Sequence, residues 1–466
     1  MQIALILVVL AALSVSEHGH QVATEGMGVR VFLALSVAMV SPVFALLCAK
    51  LTAASLRVDF TRYRPLLRRH ENLLLVHMAV WMAASAAIIY WLRWGQLVRF
   101  KWGLGDAFLL DDILILAPIL LPLVASWAAF WEVERAICSE LSRQTETHPR
   151  EFTRLGYVML HARHHLGILL VPVLVLLALH DIVRILAPRW LESGNIGLFM
   201  GGLLVSLLVL FPVLLRYVWR TRPLPAGPLR NRLEESARRM GVDASDILVW
   251  ETDGRVTNAA VTGVWRRFRY VFLTDGLLGR LADEEIEAVF AHEAGHVRHK
   301  HLLLRMMAMA APLSMWLLAE QVFPGFAAQV RQSVDQLHGG LTAEAAGGGV
   351  LLLAAATIYI IAIFGPYSRL LEHQADLFSL RSLSAGGDMA PAMAIGSALE
   401  KLAANGTADR NKRTWQHSSV ARRVDFLNRV DIDPKSELHF QRRMVFANCL
   451  VVGIVLSPML GRLLIG

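Results

Sequence analysis

Two histidines separated by three residues are candidate metal ligands. Residues 290–296 read Phe-Ala-His-Glu-Ala-Gly-His, and His292 and His296 would share one face of a helix because they are four residues apart. Two imidazoles in this arrangement can bind one zinc ion, and Glu293 beside them can act as general base on a bound water molecule. The pattern therefore predicts hydrolytic chemistry with one Zn²⁺ per chain.

A catalytic zinc site needs a third protein ligand, and residues 368–376 (Ser-Arg-Leu-Leu-Glu-His-Gln-Ala-Asp) supply the best candidate. Glu372 and Asp376 are one helical turn apart, so Glu372 can bind the metal while Asp376 contacts a ligand histidine. His373 is the alternative ligand, although on a helix it would point about 100° away from Glu372.

Two further histidines, His299 and His301, closely follow the first motif. We expect them at the lipid headgroup boundary rather than on the metal.

The composition of the chain excludes a soluble globular protein. Of its 466 residues, 55% are hydrophobic and only 18% are charged, whereas soluble domains carry about 25% charged residues. The apolar content also excludes intrinsic disorder. Cys48, Cys138 and Cys449 are too few and too scattered for a disulfide framework or a thiolate zinc site.

Long apolar stretches with charges only at their ends predict eight membrane-spanning helices. These lie near residues 30–51, 73–95, 107–131, 166–188, 195–217, 302–322, 348–366 and 444–465. A shorter stretch from Gln2 to Ser16 is either a short anchor or a weak signal peptide, and we favour the anchor. Ionisable residues near the outer ends of two spans are expected to serve structure, with a polar chamber or lateral gate between helices as the alternative: Asp111, Asp112, His180, Asp181 and Arg184.

Basic residues concentrate in alternating loops, and this sets the predicted orientation because Lys and Arg stay on the cytoplasmic side. They are frequent in 49–72 and 133–165, whereas the loop 323–347 holds a single one. Two larger polar segments, 218–301 and 367–443, are thereby placed on the cytoplasmic face of the inner or plasma membrane. The net charge of +8 is then explained by topology and contact with anionic lipid. Nucleic-acid binding is not expected, since no aromatic-interleaved basic motif is present.

The first polar segment fits a small α+β unit. Residues 226–240 fit an amphipathic helix, residues 247–250 and 270–273 fit strands, and residues 258–261 fit a third strand between them. The next helix, which carries the first motif, begins with carboxylates that suit the positive end of its dipole: Asp283, Glu284, Glu285 and Glu287.

The predicted topology can bring the two motifs together. His296 precedes the span 302–322 and Glu372 follows the span 348–366, so two membrane crossings return the chain to the same face. At 1.5 Å per residue, both motifs lie within about 9 to 14 Å of the adjacent span. They are therefore expected to meet just outside the cytoplasmic surface of the bilayer.

The two motifs together resemble those of the integral-membrane zinc metallopeptidases that include the HtpX heat-shock protease and the CAAX prenyl protease. Three further segments resemble this family: Thr257-Asn258-Ala259, residues 271–278 and residues 417–423. The resemblance covers about residues 230–430. The N-terminal 220 residues hold more predicted spans than HtpX and fit the multi-span prenyl protease branch in number.

The resemblance implies a gluzincin site, in which His292, His296 and Glu372 bind zinc, Glu293 activates the water and Asp376 supports a ligand histidine.

For substrate binding, the resemblance implies that Asn258 and Ala259 lie on an edge strand that pairs with an extended peptide. It also implies that His417 and Arg423 stabilise the oxyanion, although Ser418 replaces the proline that is usual in the family.

The predicted fold is a mostly α, polytopic membrane protein of about eight or nine spans with a small cytoplasmic α+β gluzincin-type domain. We expect a multi-span region over 1–217, a zinc metallopeptidase domain over 218–443 that two spans interrupt, and a C-terminal span over 444–466. The predicted function is zinc-dependent endoproteolysis of membrane-associated or misfolded proteins. The alternatives are a protease specific for CAAX-like modified C-termini and a sensor-transducer whose zinc domain cleaves or binds a regulator.

Overall fold

A computed structural model of the chain describes residues 2–17, 26–58, 63–105, 107–144, 153–190, 196–263, 265–338, 358–384, 391–404 and 418–465. The chain divides into two compact units, Met1–Arg220 and Thr221–Gly466. The described part of the first unit is helical, whereas the second unit combines helices with one small sheet.

Apolar helices make up the first unit. They are α1 (Gln2–Glu17), α2 (Met27–Val58), α3 (Tyr63–Ala86), α4 (Trp94–Gln96), α5 (Leu110–Gln144), α6 (Arg154–His161), α7 (Ile168–Leu186), α8 (Pro188–Trp190) and α9 (Ile196–Val218), with π-helical segments at Ala87–Trp91, Leu97–Lys101 and Ala162–Gly167. A buried apolar core that includes Leu5, Trp81 and Leu123 joins α1, α3 and α5.

Charged side chains at the helix ends of this unit contact one another or the backbone. Arg99 donates to Asp111 at 2.9 Å and to Asp112 at 2.7 Å. Asp181 accepts a hydrogen bond from the Leu109 backbone N–H at 3.1 Å. These contacts fit the structural roles expected for the three aspartates.

Six helices among the described residues are long and apolar enough to cross a membrane: Met27–Val58, Pro65–Trp91, Leu110–Glu140, Arg154–Leu186, His301–Val322 and Pro434–Leu463. A seventh candidate is a helix pair, Gly201–Leu207 and Val209–Val218, that is bent by 50°. Residues 348–357 of the predicted span 348–366 lie outside the described residues. The chain is therefore a mostly α-helical, multi-pass membrane protein.

A four-stranded sheet lies in the second unit. Its strands, in the spatial order β1-β2-β4-β3, are β1 (Thr221–Pro223), β2 (Asp246–Trp250), β3 (Ala259–Thr262) and β4 (Tyr270–Thr274). The central strands β2 and β4 are parallel, and each edge strand pairs antiparallel with its neighbour. Three strands lie where the sequence predicted them. Strand β1 was missed because three residues ending in proline carry no alternating pattern.

Nine helices complete the described part of the second unit: α10 (Pro228–Met240), α11 (Asp275–Leu278), α12 (Asp283–Arg298), α13 (His301–Val322), α14 (Pro324–His338), α15 (Gly365–Ser384), α16 (Pro391–Ala404), α17 (Val420–Ile432) and α18 (Pro434–Ile465), with a 3₁₀ turn at Arg266–Phe268 and a π-helical segment at Ile360–Phe364. Helix α10 matches the predicted amphipathic helix. Helix α18 continues without a break through residues 443 and 444, where the sequence analysis placed a domain boundary.

Carboxylates at the start of α12 fix this helix to its neighbours. Glu287 accepts hydrogen bonds from Arg232 of α10 at 2.6 Å and from Arg239 at 2.9 Å. Glu285 accepts one from Lys401 of α16 at 2.7 Å. The carboxylates predicted to suit the helix dipole therefore also hold α12 between α10 and α16.

Candidate active site

Helices α12 and α15 cross at Gly295 with their backbones in close approach. A Cβ atom at this position would lie 3.0 Å from Ala375 Cα and 3.2 Å from Phe378 Cβ. Ser379 Oγ on α15 donates to the Ala288 carbonyl on α12 at 3.0 Å. The missing side chain of Gly295 thus lets α15 approach the histidines of α12.

His292, His296 and Glu372 converge at this crossing. His292 Nε2 lies 3.7 Å from Glu372 Oε2, and His296 Nε2 lies 3.5 Å from Glu372 Oε1. One ligand atom from each residue lies within 4.8 Å of the other two, and no other such group occurs among the described residues. Two imidazoles and a carboxylate at these separations suit tetrahedral zinc, with metal–ligand bonds of about 2.0–2.2 Å. Three protein ligands leave one position open, as in catalytic zinc sites.

His373, the alternative ligand, lies in a different environment. Its Nε2 atom is 3.1 Å from Ser418 Oγ, and its ring packs against Phe426 and Phe440. The geometry therefore favours Glu372 as the third ligand.

The Nδ1 side of His292 contacts a buried ion pair. Asp376 Oδ1 lies 2.8 Å from His292 Nδ1, which leaves Nε2 directed toward Glu372. Arg423 contacts both carboxylate oxygens of Asp376, with its Nε 2.9 Å from Oδ2, and its Nη2 lies 3.3 Å from His292 Nδ1. Burial would raise the pKa of Asp376, but Arg423 and His292 hold it below its ordinary value. Burial would lower the pKa of His292, but the Asp376 carboxylate raises it to about 9.

His296 also has a side-chain partner. His301 Nδ1 lies 2.6 Å from His296 Nδ1, and His301 Nε2 lies 3.0 Å from Gln374 Oε1. Because the Gln374 oxygen only accepts, His301 carries its proton on Nε2 and accepts the His296 Nδ1–H. The lone pair of His296 Nε2 is then free for a metal.

The His301 side chain is 1% exposed and contacts a metal-ligand candidate, although it is not one of the three converging donors, and its position at the lipid headgroup boundary stays a prediction. The cause of this contact is local backbone geometry. Lys300 adopts a left-handed conformation, with φ of 55°, between α12 and α13. Sequence spacing alone does not show this turn.

Arg305 is a second site residue that the sequence patterns did not predict. Its Nη2 atom lies 2.6 Å from Glu372 Oε1, the carboxylate oxygen nearest to His296 Nε2. A charged residue only a few positions inside an apolar stretch is a signal of function, and that signal could have identified Arg305.

Strand β3 presents an open edge at the site. The Asn258 backbone N–H donates to Thr274 Oγ1 at 2.9 Å, and the Asn258 carbonyl accepts from the Thr274 N–H at 3.0 Å. Because the direction of main-chain groups alternates along a strand, Ala260 also faces β4, whereas Ala259 and Val261 face the open edge.

Glu293 lies beside this open edge. Burial raises its pKa above the ordinary value of a glutamate, and the nearby Val261 backbone N–H partly offsets that rise. A carboxylate with a raised pKa is suited to accepting and returning a proton near neutral pH.

A cavity of about 290 Å³ joins these groups. Asn258, Ala259, Glu293 and Arg423 line it together with the three metal-ligand candidates. Helix α16 supplies an apolar wall that consists of Ile395, Ala398, Leu399 and Leu402. His417 lies outside the described residues.

The fold and the site together combine apolar, membrane-length helices with an HExxH helix whose two histidines lie beside a glutamate of a second helix. Residues 223–429 match the model of Peptidase family M48. The resemblance drawn from the two motifs is thereby confirmed.

Several named proteins are similar to this chain. An HtpX protease homologue from Aeropyrum pernix is 30% identical over 194 residues, which cover 40% of this chain and 59% of that protein. An HtpX protease homologue from Thermoplasma acidophilum is 29% identical over 257 residues, which cover 51% of this chain and 74% of that protein. A CAAX prenyl protease 1 homologue from Arabidopsis thaliana is 29% identical over 204 residues, which cover 42% of this chain and 46% of that protein. The crystal structure of S. mikatae Ste24p covers 84% of this chain and 98% of its own, with 17% identity and a TM-score of 0.41.

Proposed function

We propose that this protein is a zinc-dependent endopeptidase in which His292, His296 and Glu372 hold the metal. The convergence of these three donors beside a half-buried glutamate supports the proposal most directly. Zinc bound there would polarise the scissile carbonyl and acidify a water molecule. Glu293 takes the proton from that water and passes it to the departing amine.

Substrate pairs with the open edge of β3 in this proposal. Ala259 offers its main-chain N–H and C=O to an extended peptide, which lies antiparallel or parallel to the strand as an added neighbour. A peptide paired with this edge passes beside Glu293, because Glu293 lies near the Val261 backbone N–H. The apolar wall of α16 receives an apolar side chain of the substrate, at Ile395 and Leu399.

The buried ion pair behind His292 has a positioning role in this proposal. Asp376 fixes the tautomer of His292, and Arg423 holds Asp376 in place and ionised. The oxyanion role implied for His417 and Arg423 stays a prediction.

We infer that the active site faces the cytoplasm. Helix α12 ends at Arg298, next to the start of the candidate span His301–Val322. Basic residues gather at this end of the second unit's spans, including Lys300, Arg442 and Arg443, as the positive-inside rule requires of a cytoplasmic end. A site at the cytoplasmic end of this span would be accessible to membrane-associated and unfolded proteins.

The test uses the full chain, purified in detergent, with a fluorescein-labelled unfolded protein as substrate. Cleavage should disappear on chelation, return on addition of zinc, and be absent in Glu293→Gln. Cleavage that survives either change would contradict the proposal. A farnesylated peptide and its unmodified counterpart test the CAAX alternative, since equal cleavage rates argue against an enzyme specialised for modified C-termini. A zinc-loaded protein that cleaves no peptide would favour the sensor-transducer alternative.

A further inference from the structure

A second and larger recess lies outside the active site. Its volume is about 1100 Å³, and helices α15, α17 and α18 form its walls. Four arginines, Arg369, Arg422, Arg429 and Arg443, line it with two histidines, whereas Asp425 is the only acidic residue among the described lining residues. We call this recess the basic groove.

The basic groove lies where apolar helix surface meets polar surface. Arg443 directly precedes the apolar part of α18, where Val445 is 62% and Phe446 is 71% exposed. On the other wall, α15 follows a π-helical segment in which Ile361 is 63% and Ile363 is 57% exposed. Phe364, which directly precedes α15, and Met444 of α18 belong to one buried core, so the exposed apolar surfaces of the two walls lie next to each other.

Two of the arginines are available to a ligand. Arg429 and Arg443 have no carboxylate within 4.0 Å among the residues that the structure describes. The only hydrogen bond that Arg429 makes to a described residue runs from Nε to the Asp425 carbonyl, at 3.2 Å. Guanidinium groups bind phosphate oxygens in pairs and are the side chains best suited to that anion.

From this arrangement we propose that the basic groove binds the phosphate of an anionic lipid headgroup, with the acyl chains along the exposed apolar faces of α18 and the π-helical segment. Basic pockets between membrane helices on the cytoplasmic side bind such headgroups. The volume of the groove is ample for one headgroup. This site is separate from the metal cavity and does not depend on the proposed proteolysis.

The test measures binding of soluble lipids to the full chain in dodecyl maltoside by thermophoresis. Dioctanoyl phosphatidylglycerol should bind at least tenfold more tightly than dioctanoyl phosphatidylcholine. The double variant Arg429→Gln/Arg443→Gln should lose about thirtyfold in affinity for phosphatidylglycerol. Arg429→Lys/Arg443→Lys, which keeps the charge, should lose less, because a lysine does not bind phosphate through two nitrogens.

The matched control is Arg238→Gln/Arg442→Gln, which removes the same charge. Arg442 is adjacent to Arg443 but does not line the groove, and Arg238 donates from Nε to a carbonyl four residues earlier, as Arg429 does. The control should keep wild-type affinity within about twofold. Equal losses in both glutamine variants, or no preference for phosphatidylglycerol, would overturn the proposal. Inorganic phosphate binding as tightly as phosphatidylglycerol would assign the groove to a soluble anion and contradict the lipid assignment.

Discussion

The Nδ1 atom of His301 lies 2.6 Å from the Nδ1 atom of His296. With Gln374 on the far side of His301, the contact forms a chain of hydrogen bonds that sets which nitrogen of His296 can bind a metal. One ligand thus depends on a residue in the first turn of a membrane helix, and the other histidine ligand depends on Asp376.

Removing the hydrogen bond between His301 and His296 should weaken metal binding. His301→Ala is expected to lower zinc affinity by about 10- to 100-fold, because His296 loses the acceptor that orients its ring. Chelator competition on the purified full chain measures the change. His299→Ala is the matched control, since His299 stacks on His301 without a hydrogen bond to any described residue of the site. Equal losses in the two variants would show a general structural effect instead.

The close crossing of α12 and α15 should make Gly295 intolerant of side chains. Gly295→Val forces the helices apart at Ala375 and Phe378, so we expect a loss of about 1–3 kcal/mol in stability, together with loss of zinc. Thermal unfolding and the metal content of the purified variant report both effects. Gly396→Val, in a helix where a Cβ meets no atom within 4 Å, is the control and should retain zinc. Full zinc content in Gly295→Val would refute the role of this crossing.

Zinc binding to the metal-free protein should depend on pH. The pKa of His292 is raised to about 9 by Asp376, and the metal needs the neutral imidazole, so zinc displaces one proton below pH 9. Affinity should therefore fall about tenfold for each pH unit below 9. His296 adds no second proton, since burial lowers its pKa. Asp376→Asn removes the charge that raises the His292 pKa, so zinc affinity should change less steeply with pH in this variant. Zinc affinity that does not depend on pH in the wild type would contradict a raised His292 pKa.

Pairing of substrate with β3 can be tested on the substrate itself. N-methylation of successive residues in a cleaved peptide should reduce kcat/KM at alternate positions only, because every second residue of a paired strand faces its neighbour. The measurement is a rate series over one peptide scanned position by position. Losses without alternation would argue against strand addition at Ala259.

Local spacing explains what the sequence predicted. HExxH and the segment around Glu372 each place their ligands on one helix face, and the strands near 247–250 and 270–273 carry continuous apolar runs. Both kinds of pattern are set within a few residues, so they can be read without tertiary information.

What the sequence did not predict depends on contacts between elements. His301 returns to His296 only because Lys300 adopts a left-handed conformation. Arg305 reaches Glu372 across two helices. The basic groove gathers arginines from three helices. Such contacts follow from packing that no periodicity encodes.

The zinc content and peptidase activity of the purified Glu293→Gln variant separate metal binding from catalysis. The variant should bind one zinc ion per chain as the wild type does, since Glu293 is not a ligand, and should lose cleavage by at least about a hundredfold. Glu284→Gln, on the exposed first turn of the same helix, should keep both properties. Cleavage at the wild-type rate by zinc-loaded Glu293→Gln would show that this carboxylate does not activate the water.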